Sequence, residues 1–155
     1  MDELDVVSEG VGAEDVATGD LVGRFCAAVA AGDVDAVIET MAEDAEMVTP
    51  LSSRVVIRGR DDLRAVFAAF LPSLSRDLNW RLRIGNADTT VAVAEARLGG
   101  VRVEDAMLIE QDADGRIRRV TPHVRPWLGL TVSAIVLGPK LMRHPGVVRR
   151  AMRRK

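Results

Sequence analysis

Two adjacent glycines, Gly99-Gly100, lie between two segments that are predicted as β-strands, residues 89–98 and 101–111. A Gly-Gly pair in this position favours a two-residue hairpin turn, because both central residues of such a turn need positive φ angles. A two-residue turn also fixes the register of the strands, since a slip of one residue would move every side chain to the opposite face. The sequence therefore predicts an antiparallel hairpin in which every cross-strand pair is determined.

This register predicts one face of the hairpin that is apolar except for a single carboxyl group. The pairs predicted on that face are Ala96 with Val103, Ala94 with Asp105, Ala92 with Met107, and Thr90 with Ile109. The three alanines are small and leave space above the sheet. A curved sheet can use that space as a pocket for an apolar ligand.

Asp105 on this face has two interpretations. In the structural one, a bulge shifts the register, or an arginine or a backbone amide satisfies the carboxylate. In the functional one, desolvation raises the pKa of the carboxyl group, which then serves as an acid, a base or a ligand anchor. His123, predicted on the last strand, could complete a general-base dyad with Asp105. The alternative for His123 is a surface or interface position.

Apolar periodicity, caps and breakers predict the other elements. One helix is predicted to begin near residue 16 and to end at Gly32. A second follows the cap Asp33 and carries Met41 on its apolar face. A third is predicted to end at Pro72. Further strands are predicted at 46–49, 54–58, 77–84 and 116–124. This order predicts an α+β fold: a cone-shaped, curved antiparallel sheet with three helices packed on its concave face, plus a C-terminal extension.

The two ends of the chain differ in charge from the domain predicted over 16–125. Residues 1–15 are acidic and predicted to be disordered. Residues 126–155 form an apolar and then basic extension, with no acidic residue. Its apolar run, Trp127 to Leu137, is broken by Gly129, closed by Gly138-Pro139 and predicted to pack on the domain. Contact with a membrane surface through the arginines is the alternative.

Composition excludes several classes of function. The chain has no tyrosine, one cysteine and two histidines, so a phenol proton donor, a disulfide framework and a multi-histidine metal site are excluded. With 3% aromatic residues and a net charge of −2, no nucleic-acid partner is expected. No cofactor is expected. The acidic first twenty residues do not resemble a secretory signal, and a cytoplasmic location is expected.

Four short motifs occur in an order and spacing that resemble the nuclear transport factor 2-like superfamily. They are residues 25–33 (FCAAVAAGD), 41–50 (MAEDAEMVTP), 57–63 (IRGRDDL) and 114–117 (DGRI). The resemblance covers about residues 16–125 and is nearest to the polyketide-cyclase-like and ketosteroid-isomerase branches. It implies a cone of sheet and helices around a pocket, and a homodimer joined through sheet surfaces, for which Val91 and Val93 are suited.

The catalytic groups of those relatives do not carry over to this chain. Matching the motifs puts Phe25, Thr49 and Met107 at the three catalytic positions of the isomerase. Pro122 falls where the epoxide-hydrolase branch has its last-strand aspartate. The resemblance therefore implies neither a ketosteroid isomerase nor a limonene-type epoxide hydrolase.

Three functions are compatible with these features. The first is a domain that binds a small apolar molecule in a pocket. The second is an isomerase or cyclase that acts on a hydrophobic ketone or polyketide, with Asp105 as acid or base and His123 assisting. The third is a dimeric interaction module that uses the basic tail. The predicted pocket residues are Phe25, Thr49, Trp80, Ala92, Ala94, Met107, Val120 and Val124.

Overall fold

The computed structural model describes residues 20–153. Its α-helices are α1 (Leu21–Ala31), α2 (Val34–Glu39), α3 (Arg60–Leu74), α4 (Trp127–Met142) and α5 (Pro145–Ala151). Its strands are β1 (Met41–Thr49), β2 (Ser52–Arg58), β3 (Asn79–Gly85), β4 (Thr89–Leu98), β5 (Val101–Gln111), β6 (Ile117–Thr121) and β7 (Val124–Arg125). The predicted disorder of residues 1–15 and the predicted helix start near residue 16 lie outside the described residues.

The strands form one curved sheet in the order β2-β1-β6-β5-β4-β3, and β7 pairs with β5. Within residues 20–153 every pairing is antiparallel except that of β1 with β6, which is parallel. Strands β3, β4, β5 and β6 are neighbours in the sheet in the same order as in the sequence, and this is the predicted meander. The α+β fold with a curved sheet is therefore confirmed.

The β4–β5 hairpin has the predicted register from end to end. Leu98 pairs with Val101, Ala94 with Asp105 and Thr90 with Ile109. Both turn glycines have positive φ angles, 55° at Gly99 and 84° at Gly100. That combination is required by the two-residue turn whose twist matches the flanking strands.

Helices α1, α2 and α3 bury their apolar stripes against the sheet and against each other. Asp20 and Asp33 cap α1 and α2 by accepting hydrogen bonds from Gly23 N and Ala36 N, both at 3.0 Å. The rings of Phe25 and Phe67 meet edge to face in the centre of this core, with 6.4 Å between centroids. Fully buried apolar side chains of this kind supply most of the stabilisation of a domain of this size.

Several predicted element boundaries are wrong. The first strand, predicted to begin at residue 46, begins five residues earlier. Met41 is not on the second helix but begins β1, where it pairs with Ile117 of β6 and is fully buried. Helix α3 does not stop at Pro72 but continues to Leu74. A proline removes one helical hydrogen bond. Burial of Leu71 and packing of Leu74 on the sheet offset that loss.

The predicted strand 116–124 is interrupted at Pro122 and His123. The register on β5 is the same before and after the break, since Leu108 pairs with Thr121 and Asp105 with Val124. Pro122 has no N–H to donate to the ladder. The break therefore removes hydrogen bonds without moving the strand.

The C-terminal extension is helical and packs on the domain. Helix α4 runs through Gly129 and Gly138-Pro139 and contacts α3, β4, β5 and β7. A Cβ at Gly129 would lie 2.4 Å from the Val103 side chain, so glycine allows the helix to approach β5 closely. No helix among the described residues is long and apolar enough to cross a membrane.

Helix α5 completes the core. Its Val147 and Ala151 are buried in the same cluster as the helix α1 residues. Arg150 Nε donates to Asp62 Oδ2 of α3 at 2.8 Å, which ties the exposed side of α5 to the domain. The extension is thus an integral part of the fold.

We expect Val147→Asp to lower the free energy of unfolding by at least about 2 kcal/mol, because it buries a charge without a partner. Met152→Asp, one turn further on, is the matched control, since Met152 is 59% exposed and its replacement should change stability by less than about 0.5 kcal/mol. Urea unfolding of the full chain measures both. Equal effects would show that α5 does not pack as described.

Candidate functional site

A cavity of about 350 Å³ lies between the concave face of the sheet, helix α3 and helix α4. Its wall is apolar over nearly its whole area, with side chains from α3 on one side and from β4, β5 and β7 on the other. A volume of this size is in the range of small-molecule sites. The alanines of β4 contribute as predicted from the hairpin register, since Ala94 and Ala96 both line the cavity.

Three polar side chains stand in the described part of the cavity wall: Thr49, Trp80 and Asp105. Two of them already have backbone partners. Thr49 Oγ1 donates to the Ser52 carbonyl at 3.2 Å, and Trp80 Nε1 donates to the Cys26 carbonyl at 2.9 Å. Among the described lining residues, Asp105 is therefore the only one with a charged side chain.

Asp105 contacts His123 where the last strand is interrupted, because one backbone hydrogen bond of the ladder is replaced there by bonds to side chains. Ala106 N–H donates to the His123 carbonyl at 3.2 Å, as in a regular hydrogen-bonded pair of an antiparallel ladder. The return bond is replaced by two others. His123 N–H donates to Asp105 Oδ1 at 2.9 Å, and the imidazole Nδ1 lies 3.1 Å from the Ala106 carbonyl. A carbonyl only accepts, so this Nδ1 carries the proton.

This geometry settles how the two candidate catalytic residues are related. The backbone of His123, not its ring, contacts the carboxylate, and the exposed ring does not line the cavity. The predicted imidazole–carboxylate dyad is therefore absent. In the structural interpretation of Asp105, a backbone amide satisfies the carboxylate, and this is the case for its Oδ1 atom. The hydrogen bonds of residues 20–153 leave Oδ2 without a protein partner.

The carboxyl group of Asp105 is electrostatically unusual. Burial raises the pKa of Asp105 from 3.8 to about 6, and the hydrogen bond from His123 N–H opposes this shift only in part. At neutral pH a group with such a pKa exchanges its proton readily. It can therefore hydrogen-bond as an acid or as a carboxylate.

The structure separates the other predicted pocket residues into two groups. Thr49, Trp80, Ala94, Met107, Val120 and Val124 line the cavity. Phe25 and Ala92 do not, since both are fully buried in the core next to it. On α1 the cavity wall is supplied one turn later, by Val29, because the Phe25 ring packs on Phe67. Burial raises the pKa of the neighbouring Cys26 thiol to about 12, so this cysteine is an inert core residue.

Sequence reasoning missed the part of the wall that comes from helices α3 and α4. Phe67 and Phe70 line the cavity from α3, but an apolar helix face in the sequence does not distinguish core residues from cavity residues. The lining residues of α4 are Ala134, Gly138 and Leu141. Their spacing of four and three residues is helical. The sequence nevertheless predicted that this apolar run is broken at Gly129 and closed at Gly138-Pro139, so no continuous helix was expected there.

A curved sheet with helices enclosing an apolar cavity defines the nuclear transport factor 2-like class of α+β proteins. The model of the SnoaL-like domain family matches residues 22–120, about two thirds of the chain. The protein therefore belongs to the SnoaL-like family of that superfamily, and the resemblance read from the four motifs is confirmed. No curated protein matches the sequence.

Solved structures share the fold at low sequence identity. A bacterial protein with a cystatin-like fold from Silicibacter pomeroyi has a TM-score of 0.77 at 20% identity, covering 84% of this chain and 93% of its own. A steroid delta-isomerase from Pseudomonas aeruginosa has a TM-score of 0.72 at 20% identity, covering 81% and 92%. A SnoaL-like protein from Burkholderia thailandensis has a TM-score of 0.54 at 18% identity, covering 66% and 90%.

We expect Asp105→Asn to change the pH dependence of stability. Because the pKa of Asp105 is higher in the folded than in the unfolded chain, its contribution to stability is present below about pH 4 and lost as the pH rises through about 6. Asparagine keeps the acceptor for His123 N–H but cannot ionise. The free energy of unfolding of the variant, relative to the wild type, should therefore rise by about 2 to 3 kcal/mol between pH 4 and pH 7.

Urea unfolding of both proteins at each pH measures this difference. Asp114→Asn, the same substitution at an exposed aspartate of the turn before β6, is the control for the general effect of removing one carboxylate. Parallel curves for wild type and Asp105→Asn would show that the Asp105 carboxyl is ordinary.

Proposed function

We propose that the protein binds a small apolar molecule in the cavity, with Asp105 as its polar anchor. One observation carries the proposal: an apolar wall of about two dozen described residues holds a single charged group, and that group has a free oxygen. Apolar area drives binding, and one correctly placed polar group orients the ligand.

The chemistry of Asp105 defines the polar part of the ligand. Binding expels water from the cavity and favours the neutral form of the carboxyl group further. A ligand carbonyl accepts a hydrogen bond from that acid, and its affinity falls as the pH rises above the pKa of Asp105. A ligand hydroxyl donates to the carboxylate, and its affinity changes in the opposite direction. The ligand is therefore an apolar ketone or alcohol.

Proton transfer on a hydrophobic ketone is the second candidate, favoured by the pKa of Asp105, which lies near neutral pH. Binding without turnover is the better supported of the two. The described wall has no second titratable group, and the donors of Thr49 and Trp80 are engaged with backbone carbonyls. An enolate formed by Asp105 would lack a hydrogen-bond donor to stabilise its oxygen.

The expected homodimer is a separate proposal. Leu82 and Ile84 of β3 and Val91 of β4 are exposed, and Ile84 pairs with Val91 across the two strands. Apolar side chains in adjacent pairs on a sheet surface suit a contact between two copies. Sedimentation equilibrium tests the assembly.

We expect saturable thermal stabilisation by members of a panel of steroids, terpenoids and aromatic polyketides. A ligand at one hundred times its Kd stabilises the protein by about 2.7 kcal/mol. Ala69→Phe should weaken binding at least about tenfold, because Ala69 lines the cavity and the ring would occupy it. Ala68→Phe, on the exposed side of the same helix, should bind as the wild type does.

Calorimetric titration of both alanine variants with the compound that stabilises the wild type most measures whether the ligand binds in the cavity. A panel without any saturable shift, or equal affinities of the two alanine variants, would contradict binding in this cavity.

For the second candidate, we expect no turnover of the bound ketones above the uncatalysed rate. Proton exchange at the carbon next to the carbonyl, followed by NMR in D₂O, is the most sensitive measurement. Exchange catalysed by the wild type and reduced at least about a hundredfold in Asp105→Asn would establish the enzyme instead.

A further inference from the structure

Helix α4 has an apolar stripe that no described part of the chain covers. Leu128, Ile135 and Met142 are spaced by seven residues and so follow one side of the helix. Their exposed fractions are 50%, 68% and 75%, and Trp127 at the start of the helix is 71% exposed. Single exposed apolar residues are common on protein surfaces, whereas four large ones on one helix are typical of interaction sites.

Helix α4 carries both this stripe and part of the cavity wall. Ala134, next in sequence to Ile135 of the stripe, lines the cavity, and so does Gly138 one turn later. Leu51, in the β1–β2 turn, also lines the cavity and is 62% exposed. Exposed apolar side chains and residues of the cavity wall therefore occur on the same helix, and Leu51 belongs to both groups.

The charged residues of the extension itself all have one sign. Residues 126–155 contain seven lysines and arginines and no acidic residue. Among the described ones, Lys140 donates to Ser73 and Arg150 pairs with Asp62. Arg143, Arg149 and Arg153 are exposed and make no ion pair with any residue in the range 20–153.

We propose that the exposed side of α4 and α5 binds the surface of a membrane that contains anionic lipids. Trp127, Leu128, Ile135 and Met142 insert at the boundary of headgroups and acyl chains, and the three exposed arginines bind lipid phosphates. Helix α4 lies in the plane of the surface, since its sixteen residues span only about 24 Å. This places the helix that forms one part of the cavity wall against the lipid, where apolar molecules are concentrated.

Lipid fits this surface better than a second copy of the chain. A symmetric contact through α4 and α5 would bring the same positive residues of two copies together. An anionic surface instead compensates their charge. The docking does not depend on a ligand in the cavity, so vesicle binding and ligand binding can fail independently.

Cosedimentation of the full chain with large vesicles tests the proposal. We expect binding to vesicles of phosphatidylcholine mixed with phosphatidylglycerol, at least about tenfold weaker binding to phosphatidylcholine alone, and loss of the difference when salt is raised from about 0.05 M to about 0.5 M. Tryptophan emission should shift to the blue on binding, and Trp127→Phe should lack the shift.

Two matched variants locate the contact. Ile135→Glu should reduce binding to anionic vesicles at least about tenfold. Ala113→Glu adds the same charge in the exposed turn between β5 and β6, outside both proposed contact surfaces, and should leave binding unchanged. Sedimentation equilibrium on both variants shows whether either changes the assembly.

Three results would overturn the proposal. They are absence of binding to anionic vesicles, equal binding by Ile135→Glu and the wild type, and dissociation of a wild-type dimer by Ile135→Glu. The last would assign the stripe to a second copy of the chain.

Discussion

The register of the β4–β5 hairpin is the constraint on which the site depends. Gly99 and Gly100 both adopt positive φ angles, so the turn has two residues and the strands cannot slip. That register puts Ala94 and Ala96 on the concave face, where they leave space, and puts Asp105 opposite Ala94. A slip of one residue would turn Asp105 to the outside and close the cavity with larger side chains.

A second constraint holds Asp105 in place. Pro122 interrupts the last strand, and the neighbouring pair exchanges one ladder hydrogen bond for two that involve side chains. One carboxylate oxygen of Asp105 is thereby fixed on the backbone of His123 while the carboxyl group stays in an apolar environment. This hydrogen bond satisfies one oxygen of the carboxylate where the strand is interrupted, which explains how a partly buried aspartate is tolerated. The pKa of Asp105 is nevertheless raised, because the effect of burial exceeds that of the hydrogen bond.

Much of this could be predicted from the sequence because it follows from local rules. The hairpin register followed from the turn, and the family followed from four motifs in order. The boundaries that failed were decided by tertiary contacts: pairing with β6 made Met41 the start of a strand, and burial of Leu71 carried α3 past Pro72. No local pattern distinguishes Phe25, which fills the core, from Val29, which lines the cavity. The His123 dyad was wrong because side-chain direction at a proline break cannot be read from alternation.

The C-terminal extension changes the character of the domain. Its helices close the cavity on one side, complete the core through Val147 and Ala151, and present a basic and apolar surface on the other side. Gly129, which is unfavourable in a helix on propensity alone, is accommodated because α4 packs closely on Val103 at this position.

The central claim is that the Asp105 carboxyl group lies in an apolar cavity with one oxygen free. The most direct measurement is the pKa of Asp105 from the ¹³C chemical shift of its carboxyl carbon, followed by NMR as a function of pH. A pKa of about 6 is predicted, with a further change when an apolar ketone or alcohol binds. A pKa near the ordinary value of 3.8, unaffected by any ligand, would contradict the account.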